Sequence, residues 1–361
     1  MPDKSTIPFG PQHPVLPEPI QLKLTLEDEN VKEALPALGY IHRGIEKMAE
    51  KQDYDKNIFL VERVCGICSS THALAYCLAL EELLQVEAPP RAELLRVIWA
   101  ELHRAHSHFL WLGLLAEAVG FESLFMQLWK VRERVMDVLE LTAGNRVIIS
   151  VSKVGGTRRD ISEENLKLIM KTLDELQKEM DEILPTLLNN YTLKKRTQGI
   201  GAIPADQCRE LGAVGPTLRA SGVAEDMRMK GYGGYKLLPF EPITETNGDA
   251  YARALVRAKE LYQTFDLIRD AIKELSNHGP EIDTKVKGRP KGSSMVRIEA
   301  PRGEVMYLLV GNGSKKLERM RVRVPTFANV PMLLTMLPGE DFSNVPTLTL
   351  SIDPCISCTE R

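Results

Sequence analysis

Four of the six cysteines fall in two pairs of equal spacing, Cys65-Gly66-Ile67-Cys68 and Cys355-Ile356-Ser357-Cys358. Paired thiolates bind soft metal ions, and two such pairs form a four-sulfur site when the fold brings them together. Here the end of a 361-residue chain must return to its first quarter. The second pair lies three residues from the last position, where chain is poorly held unless something anchors it. Spacing alone leaves two metals open. A structural zinc would accept four thiolates, although zinc ribbons usually close over a short loop and this loop is nearly the whole chain. A redox metal would accept the same ligands. A disulfide or thioredoxin-like pair needs a different context from a duplicated motif. Cys77 falls in an apolar helical run and reads as a small buried filler, and Cys208 carries no assigned role.

Composition narrows the class. Hydrophobic residues make up 43% and charged residues 26%, as in ordinary globular proteins, and the net charge is −3. No broad basic field invites nucleic acid. The longest apolar stretch, Phe109 to Phe121, contains Glu117 and is too short to span a bilayer. Met1-Pro2-Asp3-Lys4 is not followed by the apolar run of a secretory leader. The cysteines are therefore expected to be reduced thiols in a cytosolic setting, with any membrane attachment made through partners.

The elements that must position the thiols follow from periodicity. Residues 1–20 hold five prolines between Pro8 and Pro19 and read as irregular. Ile20 to Leu26 alternates as a half-buried strand, and Asn30 to Lys51 carries apolar residues at helical spacing with a break near Pro36 and Gly39. A helix from Ser69 to Gln85 places the first cysteine pair at its N-terminus, where free amides and the helix dipole favour thiolate. Long amphipathic helices are expected over Arg91–Glu117, Phe121–Thr142, Ser162–Leu193 and Gly248–Ser276, forming a bundle core. Gly212 to Pro239 reads as irregular, and Lys285 to Ser294 as a basic Gly/Pro loop, mobile and solvated in preference to a binding patch. Met295–Ile298, Val305–Val310 and Leu317–Val324 read as a small antiparallel sheet, with Arg319, Arg321 and Arg323 on its solvated face. The fold class is α+β: a long-helix bundle with small antiparallel sheets. Because the cysteine pairs must meet, residues 1–361 are read as one interlocked domain. Within it, 1–64 is an N-terminal segment, 65–280 the helical core, and 281–361 the small sheet and C-terminal ligand segment.

The residues around the cysteines carry a resemblance. Arg63-x-Cys65-Gly66-x-Cys68 followed by His72, and Asp353-Pro354-Cys355-x-x-Cys358, resemble the metal-binding motifs of nickel–iron hydrogenase large subunits. Gly10-Pro11-Gln12-His13-Pro14, His42-Arg43-Gly44-Ile45-Glu46, Gly155-Gly156-Thr157-Arg158-Arg159-Asp160 and Glu299-Ala300-Pro301-Arg302-Gly303-Glu304 are similar to blocks of the quinone-site subunit of respiratory complex I. That subunit lacks the four cysteines. The combination looks like the membrane-bound, energy-converting (Ech-type) hydrogenases.

The resemblance implies reversible oxidation of hydrogen at a nickel held by Cys65, Cys68, Cys355 and Cys358. Cys68 and Cys358 would bridge to an iron carrying carbon monoxide and cyanide, and a terminal thiolate such as Cys355 would accept a proton. His72 would hydrogen-bond a bridging thiolate. Pro301, Arg302 and Thr326 would line the iron's diatomic ligands. Glu18 would relay protons, and His13 has no assigned role. The matching magnesium position in soluble relatives pairs a glutamate, here Glu46, with a C-terminal histidine. This chain has Arg361 there, which cannot ligate a cation, so magnesium is in doubt and a bidentate Glu46–Arg361 pair is expected instead. Implied partners are a small subunit with a [4Fe–4S] cluster, ion-translocating membrane subunits and ferredoxin, at the cytoplasmic face of the membrane. The alternative is a non-catalytic complex I-like subunit with a zinc site.

Overall fold

The computed structural model describes residues 4–361, so the expectation on Met1–Asp3 lies outside the described residues. Four long helices build the main core: Pro90–Ala118, Glu122–Ala143, Glu163–Leu188 and Ala250–Leu275. Their apolar stripes interlock around Leu94, Ile98, Trp99, Phe109, Leu139, Leu173, Phe265 and Ile268, all buried. Pro90 opens the first of them, Ser162 caps the third by accepting from the Asn165 amide, and Asp249 caps the fourth through Ala252. The third ends at Leu188 rather than Leu193, because Asn190 caps a separate short helix, Tyr191–Thr197.

A second core joins the Ser69–Leu84 helix to a three-stranded antiparallel sheet, Lys291–Ala300, Gly303–Asn312 and Leu317–Arg323. Ala300 faces Gly303, so Pro301 and Arg302 form a two-residue hairpin loop. This loop is wedged against Gly215. A methyl group on Gly215 would lie 2.4 Å from the Arg302 carbonyl oxygen, and its φ of 71° independently favours glycine. Lys291–Ser294 belongs to a strand, which shortens the expected basic loop. On the sheet, Arg319, Arg321 and Arg323 pair with Glu50, Glu46 and Glu304.

The N-terminal sheet corrects two expectations. Lys4–Phe9 is an edge strand beside Gln21–Glu27, and Pro8 is tolerated because an edge leaves one row of amides unpaired. Asn30–Ala37 is the third strand and not a helix. Thr25 faces Glu33 while Leu26 faces Val31, so Lys32 is an extra, bulged residue. The bulge puts Val31 and Ala34 on the buried face three residues apart, which imitates helical spacing. The helix begins only at Ile45 and runs to Lys51.

The face of this sheet, with Phe9, Leu22, Leu24 and Val31, packs on the helices Pro325–Met336 and Val345–Ser351 and on Ile352 and Ile356. That third core carries the end of the chain back to the Ser69 helix. Among the described residues no helix is long and apolar enough to cross a membrane.

Candidate metal centre

The four cysteines converge. Cys65 and Cys68 lie just before the Ser69–Leu84 helix, and Cys355 and Cys358 flank the start of the short Ile356–Thr359 helix. Cys65 Sγ lies 3.4 Å from Cys355 Sγ, and Cys68 Sγ 3.6 Å from Cys358 Sγ. All four are buried and free of disulfides. Sulfurs bound at about 2.3 Å around a tetrahedral ion sit roughly 3.8 Å apart, so the spacing suits one thiophilic metal site. The ligand atoms of Cys65, Cys355 and Cys358 form one close group and those of Cys68, His72 and Cys358 a second, with Cys358 common to both. The Ile67 and Cys68 amides donate to Cys65 Sγ at 3.2 and 3.3 Å. Hydrogen bonds from Cys358 and then Cys65 lower the Cys68 thiol to about 6.

His72 comes one helical turn after Cys68, and its Nε2 is 3.5 Å from Cys358 Sγ. Its Nδ1 meets the Tyr307 hydroxyl at 2.7 Å. Complete burial lowers its pKa to about 4, so the ring is neutral.

Arg302 projects from its hairpin loop into the same interior. It donates through Nε to the Asp353 carbonyl at 3.0 Å and through Nη1 to Ser107 Oγ at 3.2 Å, and pairs through Nη2 with the Asp353 carboxylate at 2.8 Å. Burial opposes its charge, but Asp353 and then the Cys355, Cys65 and Cys68 sulfurs more than compensate, raising its pKa. Pro301 is buried in the same loop. Thr326 Oγ1 accepts from the Cys355 amide at 2.9 Å, which leaves its hydroxyl proton available to another acceptor.

Glu18 sits at the end of the proline-rich segment beside the second cysteine pair. Its carboxylate accepts from the Ser357 amide at 2.8 Å and from Ser357 Oγ at 2.7 Å, and Ser357 Oγ is 3.3 Å from Cys355 Sγ. Burial, then the neighbouring Cys355 sulfur, raise its pKa to about 7 despite the two Ser357 bonds. Glu18 and His13 line a cavity of about 410 Å³ formed by residues 11–19. His13 packs on Phe9 and accepts from the Val15 amide.

The contact expected between Glu46 and Arg361 is present in a different form. Glu46 Oε1 accepts from Arg361 Nε at 3.0 Å and from the Val322 amide at 3.0 Å, while Oε2 accepts from Arg321 at 3.1 Å. The pair is therefore shared between two guanidinium groups and is not bidentate. Donors occupy both oxygens, a set that does not fit a magnesium ion.

Sequence reasoning missed several contributors. Glu360 binds the Gly39 and Ile41 amides at 2.5 and 2.6 Å, and His42 Nδ1 lies 3.0 Å from the Glu360 carbonyl oxygen. Arg43 bridges both ligand segments, donating to the Val64 carbonyl at 2.9 Å and the Ser357 carbonyl at 2.8 Å. The His42-Arg43-Gly44-Ile45-Glu46 block was visible, but only the fold shows that it grips the chain end. Asp353, Ser357 and Tyr307 were also missed; the first two were legible only as neighbours of cysteines. Cys77 and Cys208 are buried outside the cluster, Cys208 against Ser221 Oγ at 3.2 Å.

Known proteins resemble this chain over nearly its whole length. A model of the respiratory-chain NADH dehydrogenase 49 Kd subunit matches residues 118–289 and 281–361, and one of nickel-dependent hydrogenase matches residues 43–117. The carbon monoxide-induced hydrogenase of Rhodospirillum rubrum is 40% identical over 99% of both chains. The membrane-bound hydrogenase subunit alpha of Pyrococcus furiosus is 37% identical over 98% of this chain and 87% of its own. Among solved structures, a chain of the membrane-bound sulfane sulfur reductase, an archaeal respiratory membrane complex, matches with TM-score 0.93 at 31% identity over 99% of both chains. The chain belongs to the family of membrane-bound nickel–iron hydrogenase large subunits, which is related to the 49 Kd subunit of complex I.

Proposed function

We propose that the chain is the catalytic large subunit of an energy-converting nickel–iron hydrogenase, oxidising hydrogen reversibly to protons and electrons. The convergence of four buried, unbridged thiols from opposite ends of the chain carries this reading. Cys65, Cys68, Cys355 and Cys358 would hold nickel, with Cys68 and Cys358 shared with an iron bearing carbon monoxide and cyanide. Such a centre, when bound, supplies heterolytic cleavage of hydrogen and takes up the electrons.

The chain's own residues then handle the proton. Cys355 sulfur, the Ser357 hydroxyl and the Glu18 carboxylate lie in sequence at 3.3 and 2.7 Å. A carboxyl titrating at about 7 accepts and releases a proton near neutrality, as a relay requires. The cavity of residues 11–19 gives that carboxyl an outlet. His72 steadies the Cys358 sulfur, Thr326 keeps a proton to donate, and Arg302 offers a fixed positive charge in a dry site.

Electrons must leave through a partner, because beyond these four thiols only the separate Cys77 and Cys208 remain, too few for an iron–sulfur cluster. A small subunit with a [4Fe–4S] cluster, ferredoxin and ion-translocating membrane subunits complete the proposed complex, at the cytoplasmic membrane face. The family also contains respiratory-chain dehydrogenase subunits, which favours as second reading a non-catalytic subunit with zinc at the thiols. Exchange between deuterium gas and water by the purified complex tests the proposal. HD and H₂ should form, and a nickel-containing complex that catalyses no exchange would overturn it.

A further inference from the structure

We propose that the Lys285–Lys291 loop and the Asn312–Lys316 turn together form a docking surface for an acidic face of a neighbouring protein subunit. It rests on the chain working within an assembly and is independent of the hydrogen chemistry. The two segments are joined by their backbones. The Gly313 amide donates to the Pro290 carbonyl at 2.8 Å, and Lys291 is the register partner of Asn312. The Tyr54 amide donates to the Lys315 carbonyl at 2.8 Å, and Asp53 bridges to Lys316, which brings Lys56 alongside.

The Tyr54 hydroxyl reaches the Gly288 carbonyl at 3.5 Å, so Lys287, Arg289, Lys291, Lys315, Lys316 and Lys56 are gathered on one surface, with Lys285 at the far end of the loop, and all seven are exposed. None of the seven forms an ion pair among the described residues, and Asp283, the nearest acid in sequence to the loop, is already taken by Lys153. The patch stands out on a chain whose net charge is −3, since the remaining surface is correspondingly acidic. Asp53, Asp55 and Glu318 are carboxylates of the same segments.

In the Asn312–Lys316 turn, Ser314 accepts from the Lys316 amide at 3.1 Å and donates to its carbonyl at 3.0 Å, while Asn312 Oδ1 takes the Ser314 amide at 3.0 Å. Like charges carried on adjoining backbone segments repel one another, and an opposing negative surface relieves that repulsion. The loops carry no aromatic or large apolar residue at their tips, as an interfacial membrane anchor would. Carboxylates among the cations would also be repelled by an anionic bilayer, whereas a protein face can match both signs point by point. The patch caps the end of the Lys291–Ala300 and Gly303–Asn312 hairpin opposite the Arg302 loop. Ten residues of strand place it about 30 Å from that loop, so it lies outside the metal centre.

The test is zero-length carbodiimide cross-linking of the intact complex, read by mass spectrometry. Amide cross-links should join Lys287, Lys315 or Lys316 to Asp or Glu of another subunit. Acetylation of Lys287, scaled to the urea-unfolded chain, should be about 10-fold slower in the complex than in its Lys315→Glu/Lys316→Glu form. That variant should also shed the cross-linked subunit at lower salt while keeping its full metal content. Lysines that react freely in the intact complex and give no cross-links would overturn the proposal. Lysines protected only while phosphatidylglycerol is present, again without protein cross-links, would overturn it in favour of a bilayer. Absence of hydrogen exchange with these cross-links intact would sink the proposed chemistry and leave the docking surface standing.

Discussion

Replacing Glu46 by Gln should loosen the C-terminal ligand segment without disturbing the helical core. The substitution keeps the side-chain shape but removes the charge that faces Arg361 and Arg321. The Arg321 side chain is 55% exposed, so its share is screened and within about 1 kcal/mol. Arg361 and Glu46 are 18% and 15% exposed, and a charge-assisted bond in such a place is worth roughly 1.5–3 kcal/mol. The expected loss is about 2 kcal/mol, or about 30-fold in the opening equilibrium of the last residues. Undocking stays partial, because Glu360 still holds the Gly39 and Ile41 amides and Arg43 still holds the Ser357 carbonyl. Cys355 and Cys358 are buried, so in metal-depleted protein they react with iodoacetamide only through such opening. Their alkylation rates, with hydrogen exchange of residues 355–361, should rise about 30-fold, while Cys77 stays inert. Rates within about threefold of wild type, after correction for global stability, would refute the latch.

Glu18→Gln keeps both Ser357 contacts possible but removes the exchangeable proton. Exchange between hydrogen and solvent deuterium should fall about 10²-fold or more with metal content unchanged, and an unchanged rate would move the relay elsewhere. Arg302→Lys keeps the charge and loses the fork that spans Asp353 and Ser107, so turnover should drop sharply while nickel remains; parallel loss of nickel would make Arg302 structural. His103 is buried with its pKa lowered to about 4, against 6.5 unfolded. The unfolded chain then binds more protons between those values, so stability should be full above pH 6.5 and decline as pH falls toward 4. The decline is up to roughly 3 kcal/mol, read from denaturant midpoints in wild type and His103→Gln; identical slopes would contradict it.

The helices were legible because each buries one long stripe and starts at a recognisable cap, as at Ser162 and Pro90. The hairpin sheet was legible from its period of two. Asn30–Ala37 was not, because a single bulged residue at Lys32 converts strand alternation into a three-residue step. Lys4–Phe9 was hidden by Pro8, which only an edge position excuses. The cysteines and their near neighbours could be read because their roles are tied to motif position. The grip on the chain end could not, since Glu360 and Arg43 act on backbone atoms more than 300 residues distant in sequence, and backbone acceptors leave no sequence pattern.

Metal analysis of the purified complex, alongside its Cys355→Ser variant, bears most directly on the four-thiolate centre. Wild type should contain one nickel per chain with iron beyond the small subunit's cluster. The serine variant should lose nickel, because a harder oxygen ligand replaces thiolate. Zinc in place of nickel in the wild type, or full nickel in the Cys355→Ser complex, would contradict the proposed hydrogenase.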